Sequence, residues 1–113
     1  MKFSESLKKN RDFQRVYAGG RSNANRHFVM YAMKNGSSIN RLGISVSKKV
    51  GNSVVRHRIK RYVKECYRLH EDLFEAGYDL IVIARVAAKD IDYREAEGAF
   101  LHLCRKCAVM KNI

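Results

Sequence analysis

Residues 53–70 constrain the fold more than any other part of the chain. At 100° per residue, Val55, Ile59, Tyr62, Val63, Cys66 and Leu69 fall within one sector of about 120°. Arg56, Lys60, Lys64 and Arg68 recur every fourth residue down the opposite side, with His57 and Arg61 beside them and Arg58 at the far edge. The segment therefore predicts a long amphipathic helix, capped by Asn52 or Ser53, whose apolar face must pack on a sheet. Opposite charges at i±4 would mark a solvated, salt-bridged face, but Glu65 is the only acidic residue within it. Like charges at this density repel one another and call for compensation from outside the chain. Phosphates spaced along a nucleic acid supply it, and RNA is the expected partner.

The rest of the charge agrees. Residues 1–40 hold 8 basic and 2 acidic side chains and residues 41–68 hold 9 and 1, whereas residues 69–101 hold 3 and 8. A net +12 gathered in this way marks one binding surface backed by an ordinary solvent face. With 46% hydrophobic residues in 113, the chain is expected to form one folded domain over residues 1–113 rather than a basic disordered tail. The longest apolar run, at residues 80–84, is too short to span a bilayer, and the first five residues hold no secretory signal. The expectation is a cytoplasmic protein with no membrane partner.

Around the basic helix the pattern predicts an α+β sandwich in the order α-β-β-α-β-α. A first helix over residues 10–18 stops at Gly19-Gly20 and carries Phe13, Val16 and Tyr17 on one side. A strand over 26–33 leads through the Asn35-Gly36-Ser37-Ser38 turn into a returning strand over 41–47. There Leu42, Ile44 and Val46 face away from Gly43, Ser45 and Ser47. Residues 48–51 form a basic loop before the long helix. A third, more apolar strand over 78–85 belongs at the centre, and Asp92 with Glu95 makes a capping box for a last helix to about residue 110.

Several chemistries are poorly supported. Three cysteines make no disulfide framework. The Cys104-x-x-Cys107 pair lies late in a helix, where i and i+3 share a face, and reads as two packed thiols. A zinc site built on it needs two more donors, for which Cys66 and His70 are the candidates. Autonomous phosphodiester cleavage wants clustered carboxylates or paired histidines, and His27, His57, His70 and His102 sit on separate elements. Phe13, Tyr17 and Tyr31 offer rings on which unpaired bases could stack, or else fill the core.

The stretch RLGISVSKKVGNSVVRHRIKR at residues 41–61 closely resembles the signature of bacterial ribonuclease P protein subunits. Residues 7–13, 24–26 and 83–85 match the same family in order. The resemblance implies a small mixed sheet with a left-handed β-α-β crossover, against the usual hand. It implies an accessory subunit that binds a large catalytic RNA and precursor tRNA, without an obligate protein partner, and assists removal of the 5′ leader. Catalysis would belong to the RNA and its Mg²⁺, with no ion held tightly by the protein. Carried over, Arg56, His57, Arg58, Lys60, Arg61, Lys64 and Arg68 map to the catalytic RNA. Phe13, Tyr17 and Tyr31 map to the leader, with Lys48 and Lys49 at the cleft edge. One position departs from the family, which usually has asparagine where this chain has His57. The alternatives are a general RNA-binding or ribosome-associated module, or a zinc- or thiol-based protein using Cys66, Cys104 and Cys107.

Overall fold

The computed structural model describes residues 4–111. Its elements are β1 (Ser4–Ser6), α1 (Asn10–Gly19), β2 (Arg21–Ala24), β3 (Phe28–Lys34), β4 (Asn40–Ser45), α2 (Ser53–Leu69), β5 (Tyr78–Ala84) and α3 (Tyr93–Lys106), with two single 3₁₀ turns at Glu71–Leu73 and Val86–Ala88. They form the expected α+β sandwich around one mixed sheet, in the order β1-β4-β5-β3-β2. The central place of β5 follows from its composition, since an unbroken apolar run is stable only when both faces are covered. Among the described residues no helix is long and apolar enough to cross a membrane.

Two strands escape the sequence pattern. β1 pairs in parallel with β4, and β2 pairs antiparallel with β3, yet neither carries an apolar alternation. A third difference concerns β4, which does not lie beside β3: β5 is inserted between them, antiparallel to β3 and parallel to β4. The loop after β3 therefore spans two strand spacings, about 10 Å, crossing the start of β5. Gly77 makes the crossing possible: its φ is +86°, and a Cβ there would lie 2.4 Å from the Ser37 carbonyl oxygen. β4, α2 and β5 are the β-α-β unit in which the resemblance expects its crossover.

The sheet's two faces carry two cores. On one, α2 and α3 cover Phe28, Met30, Leu42, Leu80 and Val82. Asn52 caps α2 by accepting from the Val55 amide at 3.0 Å, and the Asp92–Glu95 capping box is complete. α3 ends at Lys106, short of residue 110, where Met110 instead bridges back to Phe74. Leu69, expected in the apolar sector of α2, is 55% exposed, and Tyr67 is fully buried in its place. The buried arc is thus rotated by roughly 45°. The Tyr67 hydroxyl explains the roll, because it finds Ser4 Oγ at 2.6 Å and Asn40 Nδ2 at 3.2 Å.

On the other face α1 packs on Ile81 through Val16. No side chain caps its N-terminus; an ion cluster fixes it instead. Asp79 of β5, wholly buried, accepts from Arg15 of α1 at 2.6 Å, twice from Arg41 of β4 at 2.7 and 2.8 Å, and from Asn35 Nδ2 at 3.0 Å. Arg41 also reaches Asp12 at 3.2 Å.

Burial works against the Asp79 charge, but the hydrogen bonds from Arg41 and Asn35, with the charges of Arg41 and Arg15, outweigh it. They hold its carboxyl below the ordinary value. A folded pKa below the unfolded one stabilises fully above about pH 4 and loses that contribution as pH falls through the folded value. Asp79→Asn should lower stability by about 3–5 kcal/mol at pH 7 in urea melts, because two guanidinium groups lose their counter-charge. The variant should also lose less stability than the parent between pH 4 and pH 2. An unchanged urea midpoint would refute this role.

Candidate nucleic-acid interface

The strand register sorts the α1 side of the sheet into rows. Arg41, Asp79 and Met33 form the first row, held under α1 by the ion cluster. Gly43, Ile81 and Tyr31 form the second. A Cβ on Gly43 would lie 2.6 Å from Phe13 Cζ, so glycine here lets the Phe13 ring sit against the sheet. Phe13 and Tyr17 are 6.2 Å apart between ring centroids, and Tyr17 meets Tyr31 edge-on at 5.0 Å. The third row is Ser45, Ile83 and Val29, all half-buried. The three aromatics expected at a leader site are therefore brought together. Phe13 and Tyr31 are half-buried, and Tyr17 is 38% exposed with its hydroxyl pKa raised by desolvation and by Tyr31.

Sequence reasoning missed the floor of this shelf. Strand alternation already puts Val29 on the face of Tyr31, but Ile83 looks like an ordinary strand residue, and only the register shows that it extends the aromatic row. Basic side chains gather at the same end, where β4 and β5 finish and β3 begins. Lys48 and Lys49 are exposed on the turn after β4. Arg26 precedes β3, and Arg85 follows β5, donating to the Asn25 carbonyl at 3.0 Å. Arg26 and Arg85 were visible as basic residues, but nothing local to them gives their proximity.

The first turns of α2 begin beyond Lys48 and Lys49, and the helix runs back along the opposite face of the sheet. His57, Arg61, Lys64 and Arg68 are exposed, while Arg56, Arg58 and Lys60 are half-buried. The roll of the helix toward Tyr67 accounts for Arg56 and Lys60, which it carries to the edge of the packed face. Arg58 donates through Nη2 to the Lys89 carbonyl at 2.6 Å, which ties α2 to the segment after β5. Arg61 lies 5.8 Å from the Tyr62 ring centroid.

Among the described residues, Arg68 alone of these cations has an ion-pair partner, the carboxylate of Glu65. Arg56 Nε and Arg58 Nε are buried without any hydrogen-bond partner. The first turn of α2 contains no acidic residue. The positive end of the helix dipole thus adds to the arginines rather than being offset, which is an anion-binding arrangement.

The thiols lie elsewhere. Cys104 and Cys107 are fully buried, as expected of packed side chains, and Cys107 Sγ faces the Met30 carbonyl at 3.9 Å. Burial, helped by Glu97, pushes the Cys66 thiol up to about 12, so it is no nucleophile.

A family model described as Ribonuclease P matches residues 1–108. The chain is 53% identical over 102 residues to the ribonuclease P protein component of Lachnoclostridium phytofermentans, covering 90% of this chain and 88% of that one. To the component of Alkaliphilus metalliredigens it is 50% identical over 106 residues, or 94% and 96% of the two chains. The solved structure of the Staphylococcus aureus RNase P protein superposes with a TM-score of 0.88 at 43% identity, over 94% of this chain and 97% of that one. The Thermotoga maritima RNase P protein does so at 0.82 and 31%, over 89% and 96%. Sequence signature, fold and surface charge thus agree along almost the full length, and the chain belongs to the ribonuclease P protein family.

Proposed function

We propose that this protein, the protein subunit of an endoribonuclease that matures tRNA 5′ ends, holds two RNAs on two faces. The catalytic RNA docks on α2 through Arg56, His57, Arg58, Lys60, Arg61, Lys64 and Arg68. The 5′ leader of precursor tRNA lies on the shelf of Tyr31, Val29 and Ile83, between Phe13 and Tyr17 on one side and Lys48 and Lys49 on the other. The observation that carries the first half is the row of cations on α2, of which, among the described residues, Arg68 alone has an ion-pair partner. Phosphate oxygens supply the counter-charge that the others lack. The second half rests on the aromatic shelf, whose exposed edges fit unpaired bases but not a duplex.

Hydrolysis in this reading belongs to the RNA and its Mg²⁺. Among the described residues one group of donors lies close enough to hold an ion, Cys66, His70 and Glu97. Mg²⁺ takes oxygen ligands, so this set with its thiol and imidazole does not fit it, and no step is assigned to a protein-held Mg²⁺. The protein's contribution is electrostatic and positional: α2 screens phosphate repulsion within the folded RNA, and the shelf favours precursor over product, which lacks the leader.

The decisive assay is cleavage of a precursor tRNA by a bacterial ribonuclease P RNA at low Mg²⁺, with and without the protein. Strong stimulation at the mature 5′ end is expected, and none with the cognate RNA would sink the reading. Lys60→Ala should weaken assembly with the catalytic RNA and lower the slope of log K against log salt by about 0.7–0.9. Tyr31→Ala should instead weaken precursor binding by roughly tenfold to a hundredfold, leaving mature tRNA binding nearly unchanged. Identical phenotypes for the two would undo the assignment of separate faces. His57→Asn should keep RNA affinity within a few-fold, since both side chains donate to phosphate; a larger loss would show an interface built around the imidazole.

A further inference from the structure

The α2–α3 seam holds a cluster that RNA binding does not use. Cys66 and His70 lie one turn apart at the C-terminal end of α2, and Glu97 faces them from α3. One donor atom from each lies within 4.8 Å of the other two. The tautomer of His70 is fixed by its neighbour. Its Nδ1 lies 3.9 Å from Cys66 Sγ and 2.9 Å from the Cys66 carbonyl oxygen, which can only accept, so Nδ1 carries the hydrogen in the metal-free protein. In the neutral ring the lone pair is then on Nε2, 4.0 Å from Glu97 Oε2. The Glu97 carboxylate is in turn steadied by the Tyr93 hydroxyl, which donates to it at 3.4 Å. An imidazole with its second nitrogen bonded to a backbone carbonyl, and a carboxylate held from behind, is how metal ligands are oriented.

We propose that Cys66 Sγ, the His70 imidazole and the Glu97 carboxylate form a binding site for Zn²⁺ that clamps the C-terminal end of α2 onto α3. The mixed sulfur, nitrogen and oxygen set selects a borderline-soft, tetrahedral ion over Mg²⁺ or Ca²⁺. Ligand atoms around tetrahedral zinc stand roughly 3.3–3.5 Å apart, given bond lengths near 2.0–2.3 Å. The cluster therefore needs to contract by about an ångström, within the reach of side-chain torsions. His70 and Glu97 are 25% and 34% exposed, which leaves an entry path and room for a water as fourth ligand. The local charge also permits a dication in a chain of net +12. The site borders residues 69–101, the acidic part of the sequence, and Glu65 lies on the helical turn beside it. Cys104 and Cys107 are not part of the set: the C-x-x-C pair that suggested zinc in the sequence packs into the core, and the ligand group forms without it.

Cobalt provides the spectroscopic test on the full-length, reduced protein. Titration with Co²⁺ should saturate at one equivalent with a thiolate-to-cobalt charge-transfer band in the near ultraviolet, and Zn²⁺ should displace it stoichiometrically. Zinc at about a hundredfold excess over its Kd should raise Tm by roughly 10 °C relative to the chelator-treated protein. Cys66→Ala should abolish the charge-transfer band. Because that side chain is buried and its loss also removes core packing, Glu97→Gln and His70→Asn provide partly exposed alternatives, each expected to weaken Zn²⁺ binding at least tenfold. Cys107→Ser should keep the band. The site is overturned if Co²⁺ gives no saturable thiolate band, if the band survives Cys66→Ala, or if Glu97→Gln and His70→Asn bind zinc as tightly as the parent; His70 and Glu97 then form only a long ion pair.

Discussion

Asp79 is the group on which the geometry of the molecule turns. It is a buried carboxylate near the start of the central strand, and it can stay ionised only because Arg15, Arg41 and Asn35 converge on it. Each of those partners comes from a different element, so one charge registers α1, β4 and the loop after β3 against β5. The cost of burying ions makes the arrangement weak as a source of net stability but strict about geometry, because losing Arg15 or Arg41 strips counter-charge from a buried carboxylate. Its position at the first row of the sheet is also what matters for function. With α1 pinned there, the helix covers the first row and part of the second, and leaves Val29 and Ile83 open beside Tyr31.

The second constraint is a conflict that the chain does not resolve by itself. α2 begins with a good cap, Asn52, and then places arginines where the helix dipole is already positive. Its apolar face carries the stability of the helix, through Ile59, Val63, Cys66 and Tyr67. The polar face is thereby freed to be electrostatically unfavourable. A surface selected for stability alone would have placed glutamates among these cations, whereas here the one glutamate is spent on Arg68. On the proposed reading, a polyanion supplies the negative charge that this face lacks.

Much of this was legible in the sequence, and the failures share a cause. The 3.6-residue period gave α2 almost to the residue, the capping signals gave its start and that of α3, and the apolar run gave the central strand. Those features are local. β1 and β2 are short edge strands whose pairing is set by partners far along the chain, and no alternation marks them. The insertion of β5 between β3 and β4 is likewise non-local, and the turn signal at residues 35–38 describes a reversal without saying which strand lies beneath it. Tyr67 replaced Leu69 in the core because Ser4 and Asn40 satisfy its hydroxyl, a fact no helical wheel contains. The candidate site divides the same way. The cations of α2 share one helix and could be read directly, as could Val29 beside Tyr31 on one strand, whereas Ile83 joins them only once β3 and β5 are in register.

The two surfaces of the proposed reading meet at the segment between β4 and α2, and its construction bears on how they would act together. Val50 is buried there, its amide donates to the Ser47 carbonyl at 3.1 Å, and Asn52 closes the segment as the helix cap. Lys48 and Lys49 stand exposed on this fixed turn, between the shelf on one side and Arg56 and His57 on the other. A flexible basic peptide could neutralise as many phosphates, but it could not hold a single strand at a set distance from a docked RNA. The buried valine, the turn and the cap convert the same positive charge into a fixed spacing. On the two-face reading, that spacing is what the folded protein adds beyond counter-ions, since it fixes where a leader leaves the catalytic RNA.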